Sequence, residues 1–445
     1  MAISTMNIPE PMTPSQRAHA VRDGLPAGGL FADQHWRISP TPLSLGEALV
    51  KEFESLGRVL LQFYRAVNLL YRQSLAGQQP AWVAQLLDQG KPPSLLAEQR
   101  DPAFKSEIPR VIRPDCLLTD EGFAISELDS VPGGIGLTAW LNLMYSRLGE
   151  RVVGGERGMI DGFTSIFGDA PMVHVVLSDE SSAYRPEMEW LARQVNGRLQ
   201  VHPASAGSFP PGDAVYRFFE LFDLDNVPAA AGLFEAARRK QIRLTPAPKP
   251  IFEEKALFAL LWNRNLHGFW RRELGESFFR RLLKVVPYTW VVDPAPLPPH
   301  GAIPELNLTD WHQLKAFSQR ERNLILKVSG YSEEAWGARG VHFGSDLSTA
   351  DWSAAIDKAI AAFGRSPFVL QRYHKPRLTD FSYYDFDQET LVDMPGRIRL
   401  CPYYFVDGDG DAARTRLGGV LATVCPADKK IIHGMKDAVL VPCIP

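Results

Sequence analysis

Four cysteines in 445 residues (Cys116, Cys401, Cys425 and Cys443) are too few for a disulfide scaffold and show no metal-ligand spacing. Cysteine this sparse points to the reducing cytosol, so a cytoplasmic location is expected. There is no excess of positive charge either. Lys and Arg number 48 against 51 Asp and Glu, a formal net charge of −3, so nucleic acid is not an expected partner. No apolar run is long enough to span a bilayer, and no membrane partner is expected. The leading MAISTMNIPEPMTPSQ lacks a basic head and an apolar core and is not read as a secretory signal. GxGxxG is missing, as are GxSxG and a Cys-His pair, which removes a dinucleotide fingerprint and a fused amidase. What is present, 45% hydrophobic and 22% charged residues over a length suited to two or three domains, describes an ordinary soluble globular protein.

The most informative stretch is VIRPDCLLTDEGFAISELDSVPGGIG, residues 111–136. It reads as two short strands joined at Asp120-Glu121-Gly122, with Gly122 suited to the left-handed end of a three-residue hairpin loop. That loop pairs Thr119 with Phe123, Leu117 with Ile125, Asp115 with Glu127, and Arg113 with Asp129, and alternation puts the four charged residues on one face. Like charges directly opposite destabilise a sheet, so three carboxylates around one arginine call for further positive charge. Mg²⁺, which takes one or two carboxylates and completes its octahedron with phosphate and water, would supply it. A solvent-exposed hairpin with a cross-strand Arg–Asp pair is the alternative. The bend that follows, with Pro132, Gly133, Gly134 and Gly136, lets backbone approach a ligand closely.

Arg-x-Asp, a turn, Glu-x-Asp and a Pro-Gly bend resemble the metal-binding signature of ATP-grasp ligases, with Asp129 where that family usually has Asn. In ordinary members this hairpin lies near the end of the chain. Its early position here resembles the circularly permuted ATP-grasp proteins related to glutathionylspermidine synthase. The resemblance implies an α/β (α+β) protein with a circularly permuted ATP-grasp fold, a pre-ATP-grasp Rossmann-like α/β domain and an N-terminal helical region.

Periodicity along the rest of the chain is compatible with that layout. Residues 1–105 read as an irregular arm packed through Phe31, Trp36 and Ile38, followed by an amphipathic helix or pair of helices from Leu45 and a short helix ending at Gly90. Residues 106–165 hold the hairpin and a buried helix with Gly149 at its end. Residues 166–250 alternate strand and helix, predicting a mainly parallel sheet. Residues 251–309 are a helical linker segment carrying Lys255 and an arginine-rich face (Arg271, Arg272, Arg280, Arg281) read as solvated. Residues 310–445 would be the nucleotide-binding subdomains.

In that last segment Lys327 ends an apolar strand and precedes a loop with Gly330, Gly337, Gly340 and Gly344, whose amides could wrap phosphates. A lysine ending an apolar strand is costly unless paired. By resemblance, Lys255 and Lys327 hold ATP phosphates with Gly337 and Gly340, while Gln371, Arg372, Tyr373 and His374 line the adenine, with backbone groups of Arg372 and Tyr373 doing much of the recognition. Lys255 reads equally well as an ordinary exposed lysine. The resemblance further implies that Asp115, Glu127 and Asp129 hold Mg²⁺, and that Arg113 and Arg399 (in preference to Arg397) stabilise the transferred phosphoryl group. It also implies that residues 131–136 offer amides at the transfer point, and that the late strands rejoin the sheet completed by the hairpin. Lys436 and Asp437 sit where the family carries a Lys-Asp pair, or form a surface ion pair. Asp407, Asp409 and Asp411 are a turn, because a calcium loop's twelfth-position glutamate is missing.

The activity implied is an ATP-dependent carboxylate–amine ligase acting through an acylphosphate on small-molecule or peptide substrates. A phosphotransferase on the same scaffold and a catalytically silent nucleotide-binding module are the alternatives.

Overall fold

The computed structural model describes residues 12–33, 35–335, 337, 339–432 and 437–445. In chain order its strands are β1 (Leu43–Ser44), β2 (Val111–Thr119) and β3 (Gly122–Asp129), then β4 (Val173–Leu177), β5 (Leu199–Pro203), β6 (Ala214–Phe218) and β7 (Arg243–Thr245). There follow β8 (Thr289–Val291), β9 (Leu324–Val328), β10 (Val341–Phe343) and β11 (Phe368–Arg372). The chain closes with β12 (Leu378–Thr379), β13 (Ser382–Asp385), β14 (Thr390–Asp393), β15 (Gly396–Asp407), β16 (Arg414–Pro426) and β17 (Val439–Ile444).

The largest sheet runs β1-β17-β16-β15-β2-β3, with β12 also on β15. The early hairpin therefore shares one sheet with the last three strands, and Leu117 lies opposite Arg399 in an antiparallel pair. Behind it, apolar residues recurring at helical spacing form a single helix, Glu47–Leu75, that buries Phe53, Leu56, Leu60 and Phe63. Tyr404 of β15 donates its hydroxyl to the Phe53 carbonyl at 2.7 Å, tying helix to sheet.

Near the open end of the hairpin the register is as expected, Arg113 opposite Asp129 and Asp115 opposite Glu127. Toward the turn it is not. Leu117 faces Ala124 and Thr119 faces Gly122, because a bulge follows Asp115 and leaves Ser126 as an extra residue. The connection is thus two residues long, and the bulge restores the alternation that keeps the charged residues together.

β4 to β7 form a parallel sheet in the order β5-β4-β6-β7. Every residue of β4 and β6 is buried, which accounts for their near-continuous apolar runs. The third sheet, β10-β9-β11-β8, is entirely antiparallel. The helix Thr349–Ala362, capped by Ser348, sends Trp352, Ile356 and Ala359 into the core it shares with this sheet.

The N-terminal segment is less irregular than its composition suggests. Pro14–Asp23 is a helix opened by a reciprocal cap between Thr13 and Gln16. Phe31, Trp36 and Ile38 are buried, as expected. Among the described residues no helix is long and apolar enough to cross a membrane.

Candidate functional site

A cavity of about 520 Å³ lies against the charged face of the hairpin. Its other walls come from β9 and β10, the glycine-rich loop between them, β15 and β16, and segments leaving the carboxyl ends of β4 and β6. Arg113, Asp115, Glu127, Asp129, Lys255, Lys327, Gly337, Tyr373 and Arg399, all singled out in the sequence, line it.

On the hairpin face charge is neutralised pair by pair. Arg113 reaches Asp115 Oδ1 with Nε at 3.1 Å and Asp129 Oδ2 with Nη2 at 3.0 Å. Arg399 meets the other oxygen of Asp115 at 3.0 Å. Burial raises the Asp115 carboxyl, but the two guanidiniums outweigh it and leave the group below its ordinary pKa. For Asp129 burial prevails, aided by Glu127 and Asp115, although Arg113 and the Val131 N–H (2.9 Å) oppose it. The Asp129 pKa is therefore raised. Cys401, against Asp115, is pushed up to about 12 by burial and remains a thiol.

The two lysines come from different elements and have different partners. Lys255 stands just before the helix Ala256–Trp262, and its Nζ meets Glu127 Oε1 at 2.9 Å and the Ala335 carbonyl at 3.0 Å. It is not an exposed lysine. Burial lowers its pKa but Glu127 outweighs that, and the net shift is upward. Lys327 lies inside β9, one residue before its end, and its Nζ donates to Gln371 Oε1 at 2.9 Å and to the Ser126 carbonyl at 3.1 Å. The bulge residue thus serves the site through its carbonyl. Burial, with Lys255 adding to the fall, lowers Lys327 to about 8 against opposition from Glu127 and Asp115.

Several expected residues take other places. Gln371 does not line the cavity; it is buried between Lys327 and Thr289 Oγ1, to which its amide donates at 3.2 Å. Arg372 is exposed and ion-paired with Glu305 at 3.6 Å. The backbone N–H groups of Arg372 and Tyr373 already donate to Tyr288 and Asn323 carbonyls, so they are not free to read a base. The Tyr373 ring does reach the cavity, edge-on to Phe343 at 5.5 Å between centroids. Gly340 turns away, with its N–H on the Glu334 carbonyl. Arg397 serves the backbone carbonyls of Pro376 and Ala427. Arg271, Arg272 and Arg280 are exposed and paired with glutamates, and Arg281 joins Glu52. Asp437 pairs with Arg37 at 3.5 Å, and Lys436 lies outside the described residues.

The glycine bend is also occupied. Gly134 in the left-handed region opens the helix Ile135–Arg147, and its first amides converge on Glu187 rather than on open space. The carboxylate takes N–H bonds from Gly134 (2.8 Å) and Leu137 (2.9 Å), yet burial raises its pKa to about 7. Beside the bend, Arg113 and the Tyr403 hydroxyl both donate to the Gly133 carbonyl, at 3.2 and 2.7 Å.

Sequence reasoning missed the wall built by the parallel sheet. Tyr184 follows β4, while Glu220 and Phe222 follow β6. Ligands in such sheets gather beyond the carboxyl ends of strands, and that rule applied to AVYRF would have flagged Glu220. Burial, with Glu253 and Asp129 nearby, raises the Glu220 carboxyl well above its usual range, while Glu253 is held by Arg217 at 2.7 Å.

Among the described residues no three or more His, Cys, Asp or Glu side chains gather as a metal-binding cluster. Asp115 and Asp129 each have both oxygens engaged, whereas Glu127 is seen to use only one. A magnesium ion needing one or two carboxylates beside phosphate oxygens fits Glu127 directly. Lys255, Lys327 and Arg399 line the same cavity.

No family model matches the chain, and no curated protein matches it. Among solved structures it resembles a glutathione synthetase-like effector from Globodera pallida in its apo form. The TM-score is 0.51 at 11% identity, covering 96% of this chain and 94% of that one. A second alignment is to a protein described as a gamma-glutamylcysteine synthetase, from Methylobacillus flagellatus KT. Its TM-score is 0.38 at 11% identity over 80% of this chain and 84% of that one, too low to bear on the fold. The first likeness shows that the two chains share a mixed α/β fold over nearly their whole length.

Proposed function

We propose that the chain is an ATP-dependent carboxylate–amine ligase of the ATP-grasp type in circularly permuted order, forming an amide with release of ADP and phosphate. The observation that carries this reading is the convergence of Arg113, Asp115, Glu127, Lys255, Lys327 and Arg399, from four separated segments, on one cavity. The fold likeness to a glutathione synthetase-like protein supports the same chemistry.

Phosphoryl and acyl transfer of this kind depend on positioning and charge stabilisation. Lys255 and Lys327 hold the phosphates, and the rings of Tyr373 and Phe343 flank the base. Arg399 neutralises charge at the γ-phosphoryl group as a carboxylate oxygen of the acid substrate bonds to phosphorus and the bond to ADP breaks. Arg113 stabilises the resulting acylphosphate and the tetrahedral adduct formed when the amine attacks its carbonyl carbon. Phosphate then leaves, and the amine's proton passes to solvent.

Asp115, Glu127 and Asp129 are the candidate Mg²⁺ ligands. Glu127 would coordinate through its unengaged oxygen, and Asp115 and Asp129 only on giving up an arginine contact. The metal would supply charge neutralisation between the phosphates. Those two engaged carboxylates are the observation that favours the second reading, a nucleotide-binding module without turnover.

The test supplies ATP, Mg²⁺ and a mixed pool of amino acids and polyamines. The ligase reading expects ADP and phosphate in equal amounts, abolished by Glu127→Gln. AMP and pyrophosphate would reject the acylphosphate route, a phosphorylated product without amide would indicate a kinase, and binding without turnover would leave the silent module.

A further inference from the structure

Lys91, in the N-terminal helical region, forms an ion pair with Glu254 at 2.5 Å in which the two side chains are only 1% and 2% exposed. The other Glu254 oxygen accepts the hydroxyl of Ser329, itself fully buried. Ser329 then binds the start of the helix that follows Lys255. Its hydroxyl accepts the Ala256 N–H at 2.8 Å and its carbonyl accepts the Lys255 N–H at 2.9 Å. Ser329 stands two residues after Lys327, and Glu254 immediately precedes Lys255.

The two cavity lysines are therefore joined through their backbones by one buried knot, and the cation that neutralises it comes from a segment outside the cavity wall. A buried ion pair rarely stabilises more than apolar side chains of the same volume, so stability alone does not account for this one. Glu254 is bonded on both oxygens, so its carboxylate plane, and with it the spacing between Lys255 and Lys327, is set from two sides.

We propose that Lys91, Glu254 and Ser329 are positioning residues through which the N-terminal helical region sets the separation of Lys255 and Lys327 for a nucleoside triphosphate. This rests on the nucleotide reading of the cavity. None of the three lines the cavity, so their effect on a ligand is indirect.

The experiment measures affinities of the full chain for β,γ-imido-ATP with Mg²⁺ and for AMP, beside thermal stability. In Lys91→Met/Glu254→Leu, which replaces the pair by apolar bulk, the transition should stay close to that of the wild type. Affinity for the imidotriphosphate should fall about tenfold while that for AMP holds, a step close to the loss of one hydrogen bond to a charged group. Should the double variant fail to fold, Ser329→Ala is read the same way, with a several-fold loss expected. Equal losses for both nucleotides, or no loss, would overturn the positioning role. A wild-type chain that binds neither nucleotide would overturn the nucleotide reading and this inference with it.

Discussion

The ammonium of Lys327 is held between Gln371 Oε1 on the neighbouring strand, at 2.9 Å, and the carbonyl of the bulge residue Ser126, at 3.1 Å. A glutamine on β11 thus aims a lysine and leaves the base to others. Gln371→Leu should weaken ATP binding by roughly 1.5–3 kcal/mol, the range of one hydrogen bond to a charged group. The ratio of ATP to GTP affinity should not move, and calorimetric titration with the two nucleotides checks both statements.

Lys327, lowered to about 8, carries its proton below that pH and sheds it above. Nucleotide affinity should fall as pH rises through about 8. Because bound phosphates favour the ammonium, binding near that pH should take up protons, which titration in buffers of different ionisation enthalpy detects. Lys327→Arg should flatten the profile, since a guanidinium does not deprotonate in this range. For stability the sign is opposite. The unfolded lysine keeps its proton to a higher pH, so between about 8 and its ordinary value this group makes folding more favourable as pH rises.

Asp115 lies between two guanidiniums and is 7% exposed. Asp115→Asn should destabilise the fold by about 3–5 kcal/mol, the cost of leaving buried cations uncompensated. Glu127→Gln, whose parent side chain is 36% exposed, should shift the melting transition much less while removing metal-dependent turnover. Denaturant melts of the two variants compare them.

Glu187, raised to about 7, binds more protons when folded than when unfolded between its ordinary value and pH 7. Its contribution to stability is complete in acid and declines as pH climbs through that window, by an amount on the order of 3 kcal/mol. Glu187→Gln should lose that slope, measurable as the difference in unfolding free energy between pH 5 and pH 8.

Much of this site was legible because it is local. The alternation around Arg113, Asp115, Glu127 and Asp129 survives in the folded hairpin, and the apolar strand under Lys327 needed a partner for its charge. The bulge at Ser126 was not legible: loops of two and three residues are both common, and only the contacts beyond the turn choose between them. Gln371 was misplaced because its neighbour on β9 is far away in sequence. The cap of Glu187 on another helix and the wall at Glu220 depend likewise on which elements meet. The helix Pro14–Asp23 did carry a local signal, the Thr13–Gln16 capping box, hidden among prolines and serines.

The pairing of β2 with β15 has a consequence for biosynthesis. Leu117 must wait for Arg399, about 280 residues behind it, so at ribosomal speeds of ~5–20 residues per second the hairpin's inner edge stays open for roughly 15–55 s. During that interval its unpaired N–H and C=O groups are available to any passing strand, which makes the nascent polypeptide a natural client for chaperones and its output sensitive to how fast the second half is translated.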